Sequence, residues 1–119
     1  HVSCIEPCTS FGTYDWIICK DILEHIPYEN IAEQLDVLSA NCKHLLAMIP
    51  LGDGEKYFIE AYEQDSTHVI REDLGWWKDT FEQSGFKVYY STHDMGPYKE
   101  NWQNLHPEGN GLFYLDGNL

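Results

Sequence analysis

A short apolar run, an amphipathic stripe and a second short apolar run follow one another, and this change of period constrains the fold more than any other feature. Tyr14-Asp15-Trp16-Ile17-Ile18-Cys19 is a nearly continuous apolar run rich in β-branched and aromatic residues, the pattern of a strand buried on both faces of a parallel sheet. Pro27 stands at a first helical turn, where its missing N–H costs nothing. Ile31, Leu35, Leu38 and Cys42 then recur on one helical face, with Glu33, Gln34 and Asp36 between them. Leu45-Leu46-Ala47-Met48-Ile49 forms the next run, stopped by Pro50 and Gly52. Strand, helix and strand in this order make a βαβ unit of about 30 residues or more.

Beyond Gly54 the pattern weakens. Residues 55–67 mix Tyr57, Phe58, Ile59 and Tyr62 with acids and carry no clean period. Residues 71–84 read as a helix: Leu74, Trp77 and Phe81 share a face, Glu72 and Asp73 suit the amino end of its dipole, and Gly85-Phe86 reads as a left-handed stop with its packing residue. KVYYST, residues 87–92, reads as a strand. Residues 93–110 carry turn chemistry around Gly96-Pro97 and Pro107, and Leu112-Phe113-Tyr114-Leu115 makes a last strand. No helix separates the final two strands, so they are expected to pair antiparallel at one edge. The expected class is α/β, a mostly parallel sheet with an antiparallel C-terminal strand pair and helices packed on its faces.

With 119 residues, the chain is expected to form a single domain, residues 1–119, since domains cluster near about 100–150 residues. Seven Lys+Arg against twenty Asp+Glu leave a net charge of −13. That argues against nucleic acid as a partner, because binding a phosphate backbone depends on clustered cations. The longest apolar stretch, residues 45–51 (LLAMIPL), falls short of the about 20 residues a membrane-spanning helix needs. The amino end, HVSCIEPC, has neither a basic region nor an apolar core for export, so a cytoplasmic location is expected. Cysteines at 4, 8, 19 and 42 match no metal-ligand spacing. They are expected to be reduced structural thiols, Cys19 among them as a small buried hydrophobe.

In open parallel sheets, ligands bind beyond the carboxyl ends of the strands. Lys20-Asp21-Ile22-Leu23-Glu24-His25 follows the first strand directly, and residues 51–67 follow the second. Both segments therefore belong to the rim where a ligand would sit, provided that Trp16 to Cys19 form an inner strand whose trailing end stays open.

The segment YDWIICKDILEHIP resembles the fourth-strand motif of class I S-adenosylmethionine-dependent methyltransferases: an aromatic-Asp pair, a hydrophobic run, then Asp-Ile-Leu-Glu-His. An amphipathic helix, a strand ending in IPLG, the element Asp65-Ser66-Thr67-His68, and a helix with Trp77, Phe81 and Gly85-Phe86 follow in the family's order. The resemblance covers residues 14–88. The family's glycine-rich turn and its ribose-binding acid are absent; Gly12, Gly52 and Gly54 do not build that turn.

The resemblance implies a partial Rossmann-like methyltransferase sheet, strands four to seven, in a chain starting at His1 that is a fragment of a larger methyltransferase domain. It implies S-adenosyl-L-methionine as cofactor and a small-molecule methyl acceptor. The cofactor's methionyl part maps onto Cys19, Lys20 and Asp21. Cys4-Ile5-Glu6-Pro7 maps onto the third strand, with Glu6 as the adenine-contacting acid. His25 and His68 fall on rim segments facing the acceptor, as candidate catalytic bases, and acceptor choice falls to residues 51–67 and 93–110. With roughly half the pocket upstream, the isolated chain is expected to bind cofactor weakly or not at all.

Plainer roles exist for each residue. Asp21 suits the start of the next helix, Lys20 a solvated rim, Glu24 and His25 a polar pair before Pro27, and Asp65 and His68 a loop held by side-chain to backbone bonds. A different functional class is a non-catalytic module that pairs with another chain, or with itself, through the exposed first strand. A metal site among His25, Asp65, His68 and His93 has no supporting spacing, and no metal is expected.

Overall fold

A computed structural model describes residues 12–95 and 105–119. The elements are strand β1 (Tyr14–Lys20), helix α1 (Tyr28–Asn41), strand β2 (Cys42–Pro50), helix α2 (Leu74–Gln83), strand β3 (Lys87–Thr92) and strand β4 (Asn110–Asp116). Two 3₁₀ turns, Leu23–His25 and Glu60–Gln64, interrupt the connections. Helix α1 begins one residue later than its proline suggests: Pro27 is its N-cap, and the Pro27 carbonyl accepts from the amides of Asn30 and Ile31. Cys42, expected on the helical stripe, instead opens β2, where it remains in the core. Burial pushes the Cys42 thiol up to about 11, so it stays protonated and packs as an apolar group.

The strand order is β1-β2-β4-β3. β1 and β2 run parallel with Ile17 opposite Leu45 and Cys19 opposite Ala47. β4 runs antiparallel to both β2 and β3. The antiparallel C-terminal pair is present, but the sheet is mixed rather than mostly parallel. Its cause is the position of β4, which enters between β2 and β3 and so reverses the direction on both sides. A second expectation also changes: among the described residues β1 is an edge strand, not an inner one.

The register sorts the sheet into two unlike faces. Ile17, Cys19, Leu45, Ala47, Ile49, Phe113 and Leu115 point into one core with Leu35, Leu38, Trp77 and Phe81 from α1 and α2. Both described helices therefore cover the same face, not opposite faces. Ser39 Oγ on α1 donates to the Ser84 carbonyl at 2.9 Å, tying the two helices together. On the other face Trp16, Ile18, His44, Leu46 and Tyr114 are half-buried, with the Trp16 ring 4.7 Å from His44 and 5.3 Å from Tyr114. The β1 run is apolar throughout, yet only Ile17 and Cys19 are fully buried. A register shift between Val88 and Tyr90 leaves Tyr89 and Tyr90 68% and 55% exposed.

Helix α2 starts and stops as its residues dictate. Asp73 caps it by accepting from the Trp76 amide at 2.8 Å. At its end Gly85 takes φ +91; the Gly85 amide donates to Glu82 and the Phe86 amide to Phe81, a Schellman stop. Phe86 packs edge-on against Phe81 at 5.9 Å. Gly75 sits in the first turn with room for a methyl group, its would-be Cβ making an ordinary contact 3.6 Å from Asp73 Oδ1. Gly75→Ala should raise stability by about 0.4–1 kcal/mol, because alanine loses less backbone entropy on folding; a lower midpoint in chemical denaturation would contradict this.

Candidate functional site

The site begins where β1 stops. The Asp21 amide adds one more bond to the ladder, donating to the Met48 carbonyl at 2.9 Å. Asp21 then turns through φ +56, a left-handed conformation that a short polar side chain tolerates better than most. This turn delivers the chain into the Leu23–His25 3₁₀ turn, closed by the His25 amide on Ile22 O and the Ile26 amide on Leu23 O. Ile22, Leu23 and Ile26 sink into the core and carry Glu24 with them, 0% exposed. The Glu24 carbonyl accepts from the amides of Val69 and Ile70, both at 2.9 Å, which docks the 65–70 segment onto the turn.

That docking brings His25 and His68 together, with ring centroids 4.6 Å apart. His25 Nδ1 lies 3.1 Å from the Thr67 carbonyl and 2.9 Å from Thr67 Oγ1. Thr67 Oγ1 donates its own proton to Asp65 Oδ1 at 2.5 Å, and the Thr67 amide donates to the same oxygen at 2.8 Å. These bonds hold the Asp65 carboxyl below the usual carboxylate range. His68 Nδ1 lies 2.7 Å from the Tyr62 carbonyl. A carbonyl can only accept, so a proton sits on each Nδ1, and a ring in its neutral form presents Nε2 as a lone pair. Both Nε2 atoms face Glu24 Oε2, His25 at 3.5 Å and His68 at 3.8 Å.

An aromatic and ionic wall completes this side. The Tyr57 ring meets His68 at 5.2 Å, and its hydroxyl donates to the Ile70 carbonyl at 2.8 Å. Burial, then the Glu24 charge, hold the Tyr57 phenol above its ordinary range. Arg71 stacks over Tyr57 at 5.1 Å and bonds Glu63 Oε2 at 2.8 Å. Two clefts open nearby: one of about 410 Å³ between Phe58 and the 105–109 segment, and one of about 490 Å³ lined by Lys56, Tyr57, Phe58, Glu60 and Glu63. Both draw on the loops that the sequence assigns to acceptor choice.

Of the sequence candidates, His25 and His68 converge, Asp21 is half-buried at the strand end and Lys20 is exposed. The Cys19 side chain lies in the core beneath the helices, so only its backbone is available at the rim. Glu6 lies outside the described residues. His93 is elsewhere, its Nδ1 3.3 Å from the Asn110 carbonyl. The sequence suits Glu24 to a polar pair with His25 before Pro27, and in the structure it is the residue that the two histidines share. Its signal was present: it is an acid in the otherwise apolar sequence Ile22-Leu23-Glu24-His25-Ile26.

No family model and no curated protein sequence matches the chain. Solved structures do. The protein bound to the Haloferax volcanii Trm112 methyltransferase activator superposes with a TM-score of 0.71 at 11% identity, over 95% of this chain and 59% of that one. An S-adenosylmethionine-dependent methyltransferase from Mesorhizobium loti gives 0.66 at 8% identity over 88% and 62%. The magnesium protoporphyrin IX methyltransferase of Synechocystis, with bound SAH, gives 0.59 at 12% over 92% and 48%. The fold is that of the class I methyltransferases. The chain spans about 59% of the first of these structures. Among the described residues no helix is long and apolar enough to cross a membrane.

Proposed function

We propose that this chain carries the strand-four to strand-seven part of an S-adenosyl-L-methionine-dependent methyltransferase acting on a small-molecule acceptor. The observation that carries this reading is the convergence of His25 and His68 beyond the carboxyl end of β1, after a left-handed Asp21, within a methyltransferase fold. The cofactor supplies an activated methyl group on a sulfonium. The backbone of Cys19 with Lys20 and Asp21 binds its methionyl part, Glu6 its adenine, and His25 and His68 lie on the acceptor side as candidate bases. Positioning of this kind is worth roughly 7–11 kcal/mol in a displacement that needs little covalent help. Among the described residues β1 is an edge strand and not the inner strand expected of a ligand rim, so the reading rests on the fold and on the meeting of the two histidines.

An NMR titration with S-adenosylhomocysteine tests this. Weak, millimolar binding should move the amides of Lys20, Asp21 and residues 22–25, and Asp21→Ala should abolish those shifts. Shifts confined to other parts of the chain would refute the cofactor assignment, and micromolar affinity would refute the half-pocket.

The β1 edge also favours a second reading, a non-catalytic module that captures a strand from a partner or a second copy. A monomer in size exclusion, with β1 amides exchanging freely in the presence of candidate partners, would remove it.

A further inference from the structure

We propose that Glu24, His25 and His68 form a binding site for one divalent transition-metal ion of the zinc class. Their donor atoms all lie within 4.8 Å of one another. Both imidazoles are held in the tautomer that a ligand requires, since His68 Nδ1–H donates to the Tyr62 carbonyl at 2.7 Å and His25 Nδ1–H to Thr67 at 2.9–3.1 Å. Donation of the remote ring nitrogen to a backbone carbonyl is the usual support behind a metal-bound histidine. What faces inward is then two nitrogen lone pairs and the Glu24 carboxylate.

The spacing fits an ion better than direct pairing. Glu24 Oε2 stands 3.5 Å from His25 Nε2 and 3.8 Å from His68 Nε2, well beyond the about 2.7–2.9 Å of a charge-assisted hydrogen bond. Two ligands at about 2.0–2.2 Å from a tetrahedral ion are separated by about 3.3–3.6 Å, close to these distances. A carboxylate with two imidazoles suits zinc and its first-row neighbours, whereas magnesium and calcium favour all-oxygen sites. The His25 side chain is 29% exposed and that of His68 9%, so an ion enters from the rim past His25. Asp65 Oδ2, 3.4 Å from His68 Nε2, stands beside the cluster. Three protein ligands leave a position for water or a ligand oxygen.

This inference does not rest on methyl transfer, and its test uses neither cofactor nor acceptor. Chelator-treated chain is titrated with Zn²⁺ by calorimetry and with Co²⁺ by visible absorption. One equivalent should bind per chain, and Co²⁺ should give the intense bands of a four-coordinate nitrogen–oxygen site. Glu24→Gln and His68→Ala should each weaken binding by more than the about 10–100-fold that loss of an outer-shell partner costs; Thr67→Val should cost less, and His44→Ala and His93→Ala nothing. Because Glu24 is buried and its variant can unfold, NMR of the unmodified chain supplies a second reading. Zn²⁺ should move the ring signals of His25 and His68 ahead of those of every other histidine. Unchanged affinity in both folded ligand variants, or ring shifts confined to other histidines, would overturn the proposal.

Discussion

Trp77→Ala should lower stability by about 3–5 kcal/mol, the cost of emptying a large aromatic site in a packed core. Trp77 is fully buried between α2 and the sheet. Its ring lies 5.6 Å from Phe81, which in turn meets Phe113 of β4 at 5.2 Å and Phe86 at 5.9 Å. This aromatic stack joins α2 to β4 through fully buried rings, so a cavity there opens inside the packed core. At about 4 °C per kcal/mol for a chain of this size, the thermal midpoint should fall by roughly 12–20 °C. Trp77→Phe separates packing from polarity. The buried indole Nε1–H meets no acceptor among the described residues, and an unsatisfied buried donor costs about 1–3 kcal/mol. Phenylalanine keeps much of the ring and removes that donor, so its loss should be less than half that of the alanine variant. Equal losses in urea denaturation would show that the indole N–H is paired in solution.

The contrast between α2 and the sheet explains what could be read from the chain itself. Asp73, Gly85 and Phe86 act on neighbours within a few residues, through a cap bond and a left-handed stop. Their meaning is therefore local, and the helix ends follow from them. β3 and β4 were legible as strands for the same reason, by their own composition. Their order was not: inserting β4 between β2 and β3 depends on pairings such as Leu45 with Leu115, which no local pattern encodes. The β1 run shows a related limit. Its apolar residues imply two covered faces, but α1 and α2 both pack on the Ile17–Cys19 side, leaving Trp16 and Ile18 half-buried. The site was half legible. Asp-Ile-Leu-Glu-His marked the rim, and Asp65 to His68 marked a second loop. Their meeting is made by bonds such as that from His25 to Thr67, 42 residues away. Residues 55–67 carried no period because their order comes from a 3₁₀ turn and from side-chain to backbone bonds, such as Asp53 Oδ1 accepting from the amides of Glu55 and Lys56.

Gly52→Ala should be the most damaging glycine substitution near the site, at about 3 kcal/mol or more, the upper end of overpacking. A Cβ at this position would collide with the Lys56 carbonyl oxygen and lie 2.7 Å from the Arg71 carbonyl oxygen. Neither obstacle is the end of a flexible side chain, so the backbone itself must move. Gly52 occupies the crossing of two rim segments: its amide donates to Glu72 O at 2.9 Å and the Gly54 amide to Arg71 O at 2.6 Å. The same 69–72 stretch holds the Glu24 carbonyl through Val69 and Ile70. Displacing it should therefore loosen the Glu24–His68 approach as well as the loop. The expected result is a thermal midpoint lowered by roughly 10 °C or more, with faster amide exchange at Gly52, Gly54, Val69 and Ile70 while α1 keeps its protection. Gly75→Ala, in the first turn of α2 where a Cβ meets only an ordinary contact, should move stability the other way. If Gly52→Ala left exchange at Val69 and Ile70 unchanged, the rim would not be mechanically joined to the histidine cluster.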